Sequence, residues 1–154
     1  MLSDIYNSRI LELAANLPRI GRLETPQGSA TAHSKLCGST VTVDVALGPD
    51  GRVADFAHDV KACALGQASS SIMARAVLGA DVAELRALRD RMRAMLKENG
   101  APPEGRWADC AVLEPVRAYK ARHASTLLTF EATLEAAEKA AAGRAPASAL
   151  AEAR

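Results

Sequence analysis

The sequence predicts an α+β domain: an N-terminal helix, a small three-stranded antiparallel sheet, and then four to five helices packed on one face of that sheet. Three patterns support this fold class. Residues 4–17 repeat apolar side chains every three to four positions, residues 39–47 alternate apolar and polar side chains, and the helical period returns from Cys63 onward. A chain of 154 residues is long enough for one such domain and too short for two ordinary ones.

The sheet is predicted from three short segments. Residues 39–47 place four apolar side chains on one face, and the glycines and proline of residues 48–51 supply the chemistry of a hairpin turn. A return strand is expected over residues 52–62. A further strand over residues 30–36 would bring Cys37 to the edge of the hairpin.

One helical segment precedes the sheet along the chain, and the others follow it. We expect helices at residues 4–17 (ended by Pro18), 63–79, 81–99, 113–122 and 125–139, and a loop at residues 101–111. The helix at residues 81–99 has the clearest ends, because Asp81 is a good N-cap, Glu84 is placed to complete a capping box, and Gly100 follows the last turn. The expected domain covers residues 1–139, and the alanine-rich residues 140–154 are expected to be disordered or frayed.

Composition excludes several classes of function. The 19 lysines and arginines nearly balance the 18 acidic residues, so no global field attracts the chain to nucleic acid or to an anionic membrane. The cations of the helix at residues 81–99 are expected to form a solvated face, with docking of a partner as the alternative. The N-terminus lacks the pattern of a secretory signal, and no apolar run is long enough to span a membrane. We therefore expect a cytoplasmic protein.

Three widely spaced cysteines are the candidates for chemistry. An odd number argues against a disulfide framework and for available thiols. Cys37 follows a predicted strand and precedes Gly38, which lets the backbone approach a ligand, and Cys63 lies where a strand meets a helix N-terminus, whose dipole favours a thiolate. The ends of adjacent strands can bring Cys37 and Cys63 together. The structural alternative is that each is a small buried apolar side chain.

The sequence motifs around these cysteines resemble those of a known family. The motifs are LPRIG at residues 17–21, CGS at residues 37–39, CALGQASSS at residues 63–71 and ARHASTLLTF at residues 121–130. In this order they resemble the U-type iron–sulfur cluster assembly scaffolds, the IscU, SufU and NifU N-terminal family. The resemblance covers roughly residues 5–138, and the motif at Cys63 is its most specific part.

The resemblance implies a function that is not enzymatic. Scaffolds of this family receive sulfur from a cysteine desulfurase, assemble a transient [2Fe–2S] cluster or hold iron, and pass the cargo to acceptor proteins; some hold zinc at the same ligands. Soft thiolates ligate both iron and zinc, and a partly exposed site lets the cargo leave. The resemblance therefore implies that Cys37 and Cys63 bind the cargo.

The sequence departs from the family at two expected ligands. Ser39 stands where the family has an aspartate, and the position of the third cysteine falls on Ser125 or, with a gap of two residues, on His123. His123 is the preferred third ligand beside Cys37 and Cys63. Cys110 is a further alternative thiol.

Two further histidines lie near the motifs. His33 lies close enough along the chain to line the pocket of Cys37, together with Lys35, whereas His58 is expected to pack or to face solvent.

Three functions follow from these residues. The leading one is a scaffold or carrier of sulfur or a labile cluster at Cys37 and Cys63. The alternative is an interaction or regulatory protein that keeps the fold and docks to a desulfurase or another scaffold without binding a cluster, which Ser39 and Ser125 favour. An independent thiol enzyme has little support, because no cysteine and histidine with an orienting carboxylate can be identified from spacing.

Overall fold

The elements of the fold follow the predicted order. In the computed structural model, which describes residues 5–153 and the side chains of residues 5–143, the helices are α1 (Ser8–Ala15), α2 (Ala64–Ala76), α3 (Val82–Lys97) and α4 (His123–Ala153), and the strands are β1 (Gly28–His33), β2 (Thr40–Leu47) and β3 (Val53–Lys61). Two segments of consecutive 3-10 turns, Gly105–Ala118 and Lys120–Arg122, connect α3 to α4. The α+β class and the antiparallel sheet are confirmed.

The sheet is a meander with strand order β1-β2-β3, and both pairs are antiparallel. Its register places Ala30, Val43 and His58 side by side, and the neighbouring rows repeat this apolar face. Helix α4 packs against β1 and β2 on that face. The approach is close, because a Cβ atom on Gly28 would lie 2.6 Å from the backbone nitrogen of Ala140.

The core lies between this face and the helices. The sheet contributes the fully buried Val41, Val43 and Val45. The largest fully buried apolar side chains come from the helices and connections: Ile5, Ile10, Leu13, Leu65, Ile72, Met73, Leu85, Met92, Met95, Leu113 and Phe130. Burying an aliphatic or aromatic side chain of this size contributes about 1.5–3 kcal/mol, so the core is the main stabilising feature of the domain. None of the helices in the described part of the chain is both long enough and apolar enough to cross a membrane.

Several element boundaries differ from the sequence prediction. Strand β1 covers Gly28–His33 rather than residues 30–36, so Cys37 lies in the connection between β1 and β2. The predicted helix at residues 113–122 is wrong: these residues lie in the 3-10 segments Gly105–Ala118 and Lys120–Arg122, and the first of these contains Pro115. The 3-10 turns also begin at Gly105, inside the predicted loop.

Helix α3 shows one correct and one incorrect capping prediction. The Asp81 carboxylate accepts a hydrogen bond from the Glu84 backbone at 2.8 Å, as an N-cap should. The Glu84 carboxylate does not complete a capping box, because it accepts a hydrogen bond from the Trp107 indole at 2.8 Å and pairs with Arg106 at 3.1 Å. The buried indole N–H of Trp107 needs a hydrogen-bond acceptor, and the Glu84 carboxylate is that acceptor.

The cations of α3 do not form a simple solvated face. Arg86 pairs with Glu138 at 2.8 Å, and Arg93 pairs with Glu131 at 2.8 Å, so both join α3 to α4. The backbone of α4 is helical to Ala153. Since the side chains of residues 144–154 lie outside the described residues, the expected fraying of the tail and the boundary at residue 139 stay predictions.

Candidate functional site: two thiols at one end of the sheet

Cys37 lies in a tight connection that exposes its side chain. The Ser34 N–H donates to the Ser39 carbonyl at 2.9 Å, and the Gly38 N–H donates to the Ser34 carbonyl at 2.8 Å. Gly38 has a φ of +70°, in the left-handed region that glycine adopts without strain. These bonds turn the chain between β1 and β2 and leave Cys37 exposed.

The surroundings of Cys37 favour its thiolate. The hydroxyl of Ser34, and next that of Ser39, lower the pKa of the Cys37 thiol below its ordinary value of 9.0, and the nearby Arg122 cation adds a smaller effect in the same direction. The Cys37 Sγ lies 3.0 Å from the Ser39 Oγ. The Ser34 hydroxyl is buried and has no hydrogen-bond partner among the described residues, so it is free to donate to the Cys37 thiolate. Hydrogen bonds to the ionised form stabilise it. Because Cys37 is also exposed, it is an accessible nucleophile.

Cys63 lies at the junction of β3 and α2. It occupies the N-cap position of α2, where its carbonyl accepts from the Gln67 N–H at 2.9 Å and its side chain makes no capping bond. Its thiol instead donates to the Ser125 hydroxyl over 3.6 Å, and that hydroxyl donates to the Arg122 carbonyl over 3.2 Å. Cys63 is partly exposed, so its sulfur is open to a ligand.

Both cysteines therefore lie near the start of α4. The sheet register places His33, Thr40 and Lys61 side by side in the last row, and the chain continues from this row to Cys37 on one side and to Cys63 on the other. We call this region, together with residues 122–125, the thiol end. Helices α2 and α4 meet closely here, because a Cβ atom on Gly66 would lie 3.2 Å from the Ser125 carbonyl oxygen.

The third ligand set expected from the sequence is not assembled. His123 is buried, and its Nε2 lies 3.1 Å from the carbonyl oxygens of both Val116 and Arg117, so it donates to the end of the 3-10 segment. Among the described residues no three histidine, cysteine or acidic side chains form a group that could hold a metal ion. The His123 Nε2 is thus engaged with the backbone, and the set of Cys37, Cys63 and His123 stays a prediction.

The other expected residues are also placed by the structure. Ser39 and Ser125 each contact one thiol, as hydrogen-bond partners. Cys110 is fully buried in the core, and burial raises the pKa of its thiol to about 12, so it is not an available ligand. His33 is exposed beside the thiol end, whereas the His58 ring is fully buried and its Nε2 donates to the Pro18 carbonyl at 2.8 Å.

Sequence reasoning missed Ser34 and Arg122. Nothing in the local sequence marks Ser34, because its role depends on the turn that brings its hydroxyl to Cys37. The sequence did contain a signal for Arg122, because it lies three positions before Ser125, which falls on the position of the third cysteine. Its cation reaches Cys37 only because α4 starts beside the turn that carries this cysteine.

Comparisons with known proteins agree with this fold. Residues 5–126 match the model of the NifU-like N terminal domain. The chain is 24% identical over 135 residues to the iron–sulfur cluster assembly scaffold protein IscU of Thermotoga maritima, covering 88% of this chain and 94% of that protein.

Solved structures show the same architecture. The N-terminal part of a NifU-like protein from Brucella abortus is 64% identical, has a TM-score of 0.87, and matches 90% of this chain and 96% of that one. A SUF-system scaffold protein described as putative, SufU of Fervidobacterium islandicum, is 19% identical with a TM-score of 0.79, covers 88% and 98% of the two chains, and supports the fold alone.

The fold and the pair of thiols define the class of U-type scaffold domains. The chain belongs to the NifU-like N-terminal domain family, as the motifs around Cys37 and Cys63 indicated.

Proposed function

We propose that this protein is an iron–sulfur cluster assembly scaffold, and not an enzyme, whose Cys37 and Cys63 receive sulfur or a labile cluster and pass it on in the cytoplasm. The observation that carries the proposal is the pair of solvent-reaching thiols at one end of the sheet in a domain of this family. One relative is itself described as a cluster assembly scaffold, which supports the same role here. The proposed partners are a cysteine desulfurase as the sulfur donor and cluster-acceptor proteins.

The ligand chemistry suits a cargo that is held briefly. Thiolate sulfur is a strong ligand for iron, and the hydroxyls of Ser39 and Ser125 stay protonated at neutral pH and ligate weakly. Cys37 and Cys63 thus offer two strong ligands where an iron–sulfur cluster takes four. The remaining ligands would come from a partner protein or a small thiol, which would make release simple when that partner leaves.

Resident zinc fits this site less well than a transferred cargo. A structural zinc ion takes four nitrogen, sulfur or oxygen ligands in a tetrahedron. The described residues form no group of three such side chains. We therefore propose a transient [2Fe–2S] cluster or iron as the cargo and expect zinc to bind with lower affinity.

Anaerobic reconstitution tests the proposal. The protein is incubated with iron, sulfide and a small thiol, and bound iron, bound zinc and visible charge-transfer absorption are measured. We expect absorption and iron in the wild-type protein and the loss of most of both in Cys37→Ala and Cys63→Ala. Cys110→Ala is the matched control, because its thiol is buried in the core, and it should load as the wild type does.

Sulfur transfer provides the second measurement. Incubation with a cysteine desulfurase and cysteine, followed by mass analysis, reports a persulfide on each thiol. A protein that takes up neither a cluster nor persulfide sulfur, yet binds the desulfurase, would contradict the scaffold function and establish the interaction protein instead.

A further inference from the structure

The cations around the thiol end lack the partners that most other cations have. Among the described residues, the lysines and arginines without an ion pair or a side-chain hydrogen bond are Arg19, Lys35, Lys61, Lys97, Lys120 and Arg122. Lys35, Lys61 and Arg122 belong to the thiol end, and Lys97, at the end of α3, lines the cavity that adjoins it at His33. Elsewhere a carboxylate holds most of the cations: those of Arg9, Arg22, Arg86, Arg89, Arg93, Arg106, Arg117 and Lys139.

Three of these cations lie close to the thiols, and Arg122 acts on Cys37 directly. Lys35 precedes Cys37 by two residues in the connection after β1, and Lys61 precedes Cys63 by two residues at the end of β3. Asp59, on the same strand as Lys61, acts electrostatically on Arg22 and His58. Unpaired like charges on one surface create a positive field that steers and holds anionic partners.

A cavity adjoins the thiol end, with which it shares His33 and Ala124. It has a volume of about 480 Å³ and lies between β1, α3 and α4. Ala124, Leu127 and Leu128 form part of its apolar wall, and His33 and Lys97 line it as well. Its carboxylate, Glu131, is already held by Arg93 at 2.8 Å and Arg89 at 3.8 Å, so it does not cancel the charge of Lys97.

An exposed apolar side chain lies next to the nucleophile. Leu36 is 77% exposed, between Lys35 and Cys37. Large exposed apolar groups among charges are typical of surfaces that bind other proteins. A nucleic acid would favour aromatic side chains for stacking, and the thiol end as defined by its residues has none.

We propose that the thiol end and the adjoining cavity together form a docking surface for an acidic protein segment. Its carboxylates contact Lys35, Lys61, Lys97 and Arg122, while an apolar side chain enters the cavity at Leu127 and Leu128. The partner would thereby be held over Cys37 and Cys63. The proposal rests on charge and shape and holds whether the thiols carry a cluster, sulfur or neither.

Nuclear magnetic resonance of the full-length protein tests the docking directly. The ¹⁵N-labelled protein is titrated at low salt with the acidic peptide Glu-Glu-Glu-Leu-Glu-Glu and, as the matched probe, with the same peptide carrying glutamine in place of each glutamate. We expect saturable amide shifts at Lys35, Lys97 and Ala124 with the acidic peptide alone. The shifts should weaken as salt shortens the range of the field.

Charge reversal locates the surface. The triple variant Lys35→Glu, Lys61→Glu, Lys97→Glu replaces attraction with repulsion at exposed positions. We expect its affinity for the acidic peptide to fall by at least about tenfold. Lys139→Glu is the control and should bind as the wild type does, because Lys139 already pairs with Glu135 at 3.6 Å. The triple glutamine variant should show a smaller loss in the same direction.

Four results would overturn the docking surface. These are the absence of saturable shifts, equal shifts with the glutamine peptide, undiminished binding by the triple variant, and tighter binding of a DNA duplex than of the acidic peptide. Because no iron or sulfur enters the experiment, its failure is separate from failure of the reconstitution test.

Discussion

At the scale of single residues, the two thiols differ in the direction of their hydrogen bonds. Cys63 donates to the Ser125 hydroxyl, which in turn donates to the Arg122 carbonyl. Cys37 has the Ser34 and Ser39 hydroxyls beside its sulfur and lies in the field of Arg122, which suits the thiolate. We infer that an electrophilic sulfur donor reacts first at Cys37.

Removing the two hydroxyls should raise the pKa of Cys37. In the double variant Ser34→Ala, Ser39→Ala the thiolate loses its hydrogen-bond donors, so we expect the pKa to move back toward its ordinary value of 9.0. The pH dependence of alkylation by iodoacetamide, measured in a Cys63→Ser background, reports this pKa. Ser8→Ala, at an exposed position of α1, is the control, and an unchanged midpoint in the double variant would contradict the role of the hydroxyls.

The sequence could predict that Cys37 and Cys63 form the site. It could not predict which side chains contact the two thiols. Cys37 and Cys63 carry the motifs, and their strands end at the same edge of a hairpin. The resemblance marks Ser39 as a missing carboxylate, and only the turn shows that its hydroxyl contacts Cys37. His123 looked available because its use as a donor to Val116 and Arg117 depends on a 3-10 segment that no local pattern predicts.

At the scale of elements, the contact between α2 and α4 positions Cys63. Gly66→Ala would place a Cβ atom 2.7 Å from the Ala62 Cβ and 3.2 Å from the Ser125 carbonyl oxygen, so the two helices must move apart. We expect a loss of about 1–3 kcal/mol in the free energy of unfolding, as for other overpacked sites. Urea denaturation measures it.

Gly143→Ala is the matched control for the helix contact. A Cβ atom there meets nothing within 4 Å, and alanine is the better helix former by about 1 kcal/mol, so this variant should be as stable as the wild type or more stable. Equal losses in the two variants would show that the contact at Gly66 is not the cause.

His58 ties the loop after α1 to β3 and should make the domain sensitive to acid. Burial lowers the pKa of His58 below its ordinary value of 6.5, and the Pro18 carbonyl and Asp59 oppose this shift only in part. The unfolded chain therefore binds the proton more readily, so the free energy of unfolding should fall as pH decreases below about 6.5. The buried Nδ1 has no partner among the described residues, so a second N–H there would stay unsatisfied.

The variant His58→Gln separates this effect from other titrations. Its amide N–H can still donate to the Pro18 carbonyl, and it does not ionise, so the decrease in stability between pH 7 and pH 5 should become smaller. Chemical denaturation across this range measures the change. An identical pH dependence in both proteins would assign the acid sensitivity to other groups.

The elements with local signals were predictable, and those that depend on distant partners were not. Helix α3 was predictable because Asp81 caps it from within its own first turn. The side chain of Glu84 could not be assigned, since its partners Trp107 and Arg106 lie more than twenty positions away. The 3-10 segment around Pro115 could not be predicted for a different reason. Its apolar side chains repeat with a period that does not distinguish a 3-10 helix from an α-helix.

At the scale of the whole molecule, one helix holds the sheet and the site together. Helix α4 begins at the thiol end with His123, covers β1 and β2, and is still buried against Gly28 at Ala140. Thermal unfolding should therefore be a single cooperative transition, in which the site and the core are lost together.

Truncation of α4 tests where the domain ends. A chain ending at Gly143 keeps Ala136, Ala137 and Ala140, which are all buried, so we expect its Tm to stay within about 2 °C of the full-length value. A chain ending at Glu135 loses these three core residues and should unfold at least about 5 °C lower, because each lost apolar contact destabilises the sheet. Calorimetry measures both chains. A large decrease in Tm on removal of residues 144–154 alone would show that the domain extends beyond the expected boundary at residue 139.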